Sequence, residues 1–137
     1  MSFIKSDVTR NEYLFQDLIY NKHIINVPKV FDYKQVEGEY GNLIMEAIPE
    51  LNISDMYGDN FTDIPDYIIK EIRKIIIILY NNHIEYPDIT GYNFIEYGRK
   101  IWLIDFEHAK INNDYSTYDP FILDFINGLN DWNSKYK

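Results

Sequence analysis

The chain of 137 residues contains no cysteine. A disulfide framework is excluded, and so is any thiolate metal site. Basic residues are scarce as well: 13 Lys and Arg stand against 22 Asp and Glu, a formal net charge of −9. That charge repels free DNA and RNA, so no nucleic-acid partner is expected. The basic residues that do cluster, Lys70, Arg73 and Lys74 and then Arg99 and Lys100, read as solvated faces. Long apolar runs are missing. The longest aliphatic run, Ile75 to Leu79, is far too short to cross a bilayer. The N-terminal stretch MSFIKSDVTRNEY has no apolar core of a signal peptide. A soluble, intracellular, cytoplasmic protein with no membrane partner is expected. No repeat or Pro/Gly-rich linker divides the chain, whose length is that of one domain.

What is present is apolar and aromatic: 46% hydrophobic and 17% aromatic residues, ample for a packed core and against disorder. Asp7 to Tyr20 reads as a helix, with Tyr13, Leu14, Phe15 and Leu18 at helical spacing and Asp7 or Thr9 as its cap. Val30 to Tyr33 and Leu43 to Ala47 read as two strands of a hairpin containing Gly38 and Gly41, stopped by Pro49. Ile64 to Asn82 is the clearest helix, apolar nearly all round, with Pro65 in its first turn. Such a helix belongs at the centre of the core. Phe94–Ile95 and Ile101 to Ile104 read as two short strands around a Gly98–Arg99 turn, and Asp119 to Leu129 as a closing helix. Hairpins separated from helices give an α+β class.

Three polar residues stand beside these apolar runs. Alone, Asp88 after Pro87 is a turn residue, Asn93 a loop residue and Asp105 a cap. Glu12 alone is exposed helix surface. Tyr86, Tyr92, Tyr97 and Trp102 read as core or rim packing, and His23, His83 and His108 are too scattered for a metal site. The joint spacing changes the picture. An antiparallel hairpin brings its open ends together, so Asn93, just before the first strand, should approach Asp105, just after the second. An amide oxygen beside a carboxylate suits Mg²⁺, which takes one or two protein oxygens plus substrate phosphates. Asp88 on the same loop could accept a proton from an attacking hydroxyl or orient it.

This order resembles the protein-kinase family, whose catalytic loop places an Asp five residues before an Asn, followed by a hairpin and a metal-binding Asp-Phe. The residues that carry the resemblance are Glu85-Tyr86-Pro87-Asp88-Ile89-Thr90-Gly91-Tyr92-Asn93 and Leu103-Ile104-Asp105-Phe106-Glu107. The second run is also similar to small-molecule kinases of the choline-kinase and aminoglycoside-phosphotransferase type. Upstream, Asn42 to Pro49 resembles the last small-lobe strand and the hinge, and Asn11-Glu12-Tyr13-Leu14 the small-lobe helix with its acidic residue, Glu12. The resemblance implies a partial kinase-like fold in a single domain over 1–137, with a remnant small lobe and hinge over about 7–48 and a minimal large lobe over 49–137. It implies Mg²⁺ and ATP as cofactors, Asp88 as the catalytic residue, Asn93 and Asp105 on the metal, and the backbone of Glu46 and Ile48 on the adenine. The Ile-, Asn-, Tyr- and Lys-rich composition would suit an A+T-rich genome such as some large DNA viruses have.

The departures weigh on activity. Nothing before Asp7 suffices for three small-lobe strands, and no glycine-rich loop is visible. Lys5 lies only seven residues before Glu12, a spacing too short for a strand, a turn and a helix start, so no strand lysine is expected. Thr90 stands where protein kinases often have a lysine, and Glu107 where they have glycine. Two missing contacts to a triphosphate would lower a rate by about four orders of magnitude. Two functions follow as expectations. One is a weak Mg-ATP-dependent, serine/threonine kinase-like phosphotransferase with impaired or absent activity. The other is a non-catalytic mimic, a pseudokinase that binds a full-length kinase or its substrate. Uncovered apolar surface would favour self-association.

Overall fold

A computed structural model describes residues 1–136. Its first strand, β1 (Ser2–Thr9), runs without a loop into α1 (Arg10–Lys22). The helix therefore starts at Arg10, not Asp7. Thr9 is its cap: the hydroxyl accepts from the Glu12 amide at 3.2 Å. β2 (Val30–Glu37) and β3 (Tyr40–Glu46) form the expected hairpin with longer strands than expected, and β1 adds to its other side, giving an antiparallel sheet of order β1-β3-β2. Lys5 pairs with Leu43 and Val8 with Gly41, so β1 holds one extra residue between these pairs. Asp7, at φ 58°, absorbs the bulge. Because paired residues share a face, the bulge turns Lys5 and Val8 to the same side as Leu43 and Gly41. That side is covered. Val8, Leu43 and Met45 form a small core with Tyr13, Val30 and Tyr33 packed on it. Gly41 has to be glycine, since a Cβ there would meet the Lys34 carbonyl oxygen at 2.6 Å and the Tyr33 ring at 2.8 Å.

The second and larger core surrounds α3 (Asp66–Asn81). Ile68, Ile69, Ile72, Ile75, Ile76 and Leu79 are buried, as the periodicity predicts. Pro65 caps this helix from outside its first turn. The short α2 (Ile53–Tyr57), which sequence patterning does not reveal, is capped by Asn52 and packs against the 3-10 turn Gly91–Asn93. β4 (Ile84–Glu85) pairs with β7 (Lys110–Ile111), and β5 (Phe94–Tyr97) with β6 (Lys100–Leu103) around the Gly98–Arg99 turn. Glu96 on β5 accepts hydrogen bonds from Tyr57 at 2.8 Å and Tyr67 at 2.6 Å, tying the hairpin to α2 and α3. The closing helix α4 (Pro120–Ile126) is shorter than predicted. It lies on α3 through Arg73, whose Nε donates to the Phe125 carbonyl at 3.0 Å. Among the described residues, no helix is long and apolar enough to cross a membrane.

Candidate active site

The β1–α1 junction corrects the reading of Lys5. With no turn between strand and helix, seven residues are enough: Lys5 Nζ lies 2.6 Å from Glu12 Oε2 and 3.3 Å from Asp105 Oδ1. Glu12 is not exposed surface but 6% accessible. Burial raises the Glu12 carboxyl above its usual range, with Lys5 opposing. Burial also pulls the Lys5 ammonium down, but the charges of Asp105 and Glu12 outweigh it, and the lysine is held above its ordinary value. A strand lysine, a helix glutamate and the aspartate after β6 thus form one group at the seam between the two cores.

The hairpin delivers Asn93 and Asp105 as its geometry requires. Phe94 pairs with Leu103, and the Ile104 amide donates to the Asn93 carbonyl at 3.0 Å. The Asn93 side chain is buried, and its Nδ2 donates to the Asp88 carbonyl at 2.8 Å. That bond occupies the amide nitrogen, and Oδ1 accepts no hydrogen bond among the described residues. Asp105 is fixed at both ends. Its carbonyl accepts from the buried Tyr86 hydroxyl at 2.6 Å, and its Oδ1 accepts from the Glu107 amide at 2.9 Å. Asp88, Asn93 and Asp105 line one cavity of about 580 Å³.

Asp88 itself is 7% accessible. Burial, and then the charge of Asp105, push its carboxyl up to about 6, against the pull of His108. His108 Nε2 lies 4.0 Å from Asp88 Oδ2, on the solvent side. Sequence reading found His108 only too far from the other histidines for a metal site and gave it no role, yet it lines the cavity. Its distance in sequence from Asp88 hides this. The loop between Asp88 and Asn93 is tightly held. A Cβ on Gly91 would run into Ser54 Oγ, with the Ser54 amide nitrogen and the Trp132 ring each at 3.2 Å. Glu85 braces the loop from below. Its Oε2 accepts from the Asp119 amide at 2.8 Å and its Oε1 from Asn112 at 3.0 Å. Burial favours protonation of Glu85, but these donors and Lys110 outweigh it and hold the carboxyl below its usual range.

Glu46 and Ile48 line a separate slot of about 270 Å³ between the end of β3 and the β5–β6 hairpin. Met45, Leu51, Ile95 and Ile104 give it apolar walls, and Ile104 connects it to Asp105. Glu46 donates its amide to the Lys29 carbonyl at 2.8 Å. The Ile48 amide donates to no acceptor among the described residues, while its carbonyl accepts from Glu50 at 2.8 Å. A further cavity, of about 590 Å³, lies elsewhere, between α3 and the β5–β6 turn, and holds none of these residues.

Asn93 Oδ1 and the Asp105 carboxylate are two hard oxygens on one wall, a donor set that fits Mg²⁺ with water and phosphate completing its shell. Among the described residues, no group of three His, Cys, Asp or Glu could hold a metal ion.

No family model matches the chain, and no curated protein does. Among solved structures the chain is similar to the Cydia pomonella granulovirus kinase PK-1, with 16% sequence identity and a TM-score of 0.56. The match covers 86% of this chain and 46% of that one, so the chain spans under half the length of that kinase. At this identity the likeness is one of fold. The α+β, partial kinase-like architecture expected from the motifs is the architecture present.

Proposed function

We propose that the chain binds a magnesium nucleoside triphosphate across the seam between its two cores and is a kinase-like phosphotransferase. The observation that carries this reading is the Lys5 ammonium, held 2.6 Å from Glu12 and 3.3 Å from Asp105. A structural ion pair has no need of a third, partly exposed carboxylate. A lysine between two carboxylates, one of which shares a cavity with Asn93 and Asp88, is an arrangement that can clamp phosphate and offset its charge.

The residues divide the work. The apolar slot with the free Ile48 amide receives the base. Lys5 contacts the phosphates, and Glu12 fixes its direction. Asn93 Oδ1 and Asp105 would hold Mg²⁺, which supplies charge neutralisation on the phosphate oxygens. Asp88 orients the acceptor hydroxyl. As the acceptor oxygen bonds to phosphorus and the bond to the nucleoside diphosphate breaks, the diphosphate leaves with the electron pair and Asp88 takes the hydroxyl proton. Its carboxyl, set near 6, is matched to that task at neutral pH, and His108 offers the proton a way to solvent. Lys5 restores one of the two phosphate contacts that the sequence appeared to lack, so the handicap shrinks to about two or three orders of magnitude.

A docking module without turnover is the second reading, favoured by Phe3, Ile4, Phe31 and Val36, which leave apolar surface exposed on the outer strands β1 and β2. Steady-state ATP turnover separates the two. The enzyme reading expects Mg²⁺-dependent nucleoside diphosphate release, abolished in Asp88→Asn with ATP affinity retained. A rate equal in wild type and Asp88→Asn would leave only the docking module.

A further inference from the structure

We propose that Lys135, on the C-terminal 3-10 turn, is a phosphate-binding residue that contacts the terminal phosphoryl group of a bound nucleoside triphosphate. This rests on the nucleotide reading above and adds to it a cation from a part of the chain that no kinase-like motif covers. The cavity around Asp88 holds the carboxylates of Asp88, Asp105 and Glu107, and among the described residues Lys135 is the one Lys or Arg that lines it. Lys135 nevertheless makes no ion pair among the described residues. Its ammonium sits 5.6 Å from the centre of the Tyr136 ring. A cation at the rim of an acidic cavity, with no carboxylate partner among the described residues, is available to an anion that enters.

The placement of this lysine is built rather than incidental. Trp132 and Asn133 are buried. Asn133 Nδ2 donates to the Pro87 carbonyl at 2.7 Å, and its amide donates to the Ile89 carbonyl at 2.9 Å. Those two carbonyls flank Asp88. Asn133 Oδ1 in turn accepts from the Lys135 amide at 3.2 Å, and the Tyr136 ring lies 4.7 Å from the His108 ring. The tail is therefore pinned to the backbone on either side of Asp88, so Lys135 keeps register with the group that would face the transferred phosphoryl. Lys5 stands beyond Asp105, against Glu12. Lys5, outside the lining of the Asp88 cavity, is assigned to the inner phosphates, and Lys135, on that lining, to the outermost.

The test is a fluorescence titration of the full chain, in Mg²⁺, with N-methylanthraniloyl ATP and the corresponding ADP. Wild type is compared with Lys135→Ala, Lys135→Arg and the exposed-surface control Lys70→Ala. A charge-assisted contact to the third phosphate predicts that Lys135→Ala loses about tenfold in ATP affinity. ADP affinity should stay within about twofold, Lys135→Arg should keep most of the ATP affinity, and Lys70→Ala should match wild type. Equal losses for ATP and ADP, or no loss for either, would overturn the assignment while leaving nucleotide binding intact. If wild type binds neither nucleotide, the nucleotide reading itself fails and this assignment with it.

Discussion

Glu85 and Asp88 stand three residues apart, both buried, and titrate in opposite directions. Glu85 accepts hydrogen bonds from Asn112 and the Asp119 amide and is held below the usual carboxylate range. Its ionised form stabilises the fold above its unfolded pKa, and that contribution is lost as pH falls through the folded value. Glu85→Gln should therefore cost about 1–2 kcal/mol at neutral pH, with the cost fading in acid, as urea melts at pH 7 and pH 3.5 would record. Asp88 is raised from 3.8 to about 6 by burial and by Asp105. A raised carboxylate contributes stability that is complete below its unfolded pKa and lost as pH rises through the folded one, here between about pH 4 and pH 6. At pH 7 the ionised Asp88 burdens the fold. Asp88→Asn should raise stability by about 2 kcal/mol at pH 7 and by almost nothing at pH 4, while abolishing turnover. A neutral-pH loss of stability in Asp88→Asn would show that its environment is polar rather than desolvating. Wild-type turnover should rise with pH through about 6, as Asp88 becomes able to accept a proton.

At the scale of elements, the junction of β1 with α1 decides whether Lys5 reaches Glu12. It was not legible from sequence for a physical reason. Phe3 and Ile4 are both largely exposed, and the bulge at Asp7 breaks the two-residue period that marks a strand. The extra residue is what turns Lys5 inward. Thr9, in contrast, was legible as one of two candidate caps, beside Asp7, and is the one used. Thr9→Ala should cost about 1 kcal/mol, and calorimetric melting would measure it. Inserting two glycines between Thr9 and Arg10 should leave the larger core folded but part Lys5 from Glu12 and remove nucleotide affinity. The loop from Asp88 to Asn93 was legible as a motif but not as a packed object. The spacing carries no sign that Ser54 and Trp132 press on Gly91. Gly91→Ala should destabilise by about 1–3 kcal/mol through overpacking against Ser54 and Trp132.

Across the whole molecule, the isoleucine pattern of 64–82 located the main core, because a helix apolar on nearly every side has no other place to go. Ile72 is fully buried, and Ile72→Ala should cost about 2–5 kcal/mol in a denaturant melt. The hairpin that carries Asn93 and Asp105 was equally legible, since antiparallel pairing fixes which ends meet. Contributions from distant segments were hidden: His108 beside Asp88, and the tail pinned to Pro87 and Ile89 through Asn133. They depend on how loops pack, which local patterning does not encode. On the proposed reading, the group of Lys5, Asn93 and Asp105 joins the two cores around a magnesium nucleotide. Calorimetric titration of ATP into wild type and Asp105→Ala, each with Mg²⁺ and with EDTA, tests it most directly. Saturable binding by wild type in Mg²⁺ alone, lost in Asp105→Ala, is the predicted result. Binding that ignores both Mg²⁺ and the substitution, or no binding by a wild type that melts cooperatively, would contradict it.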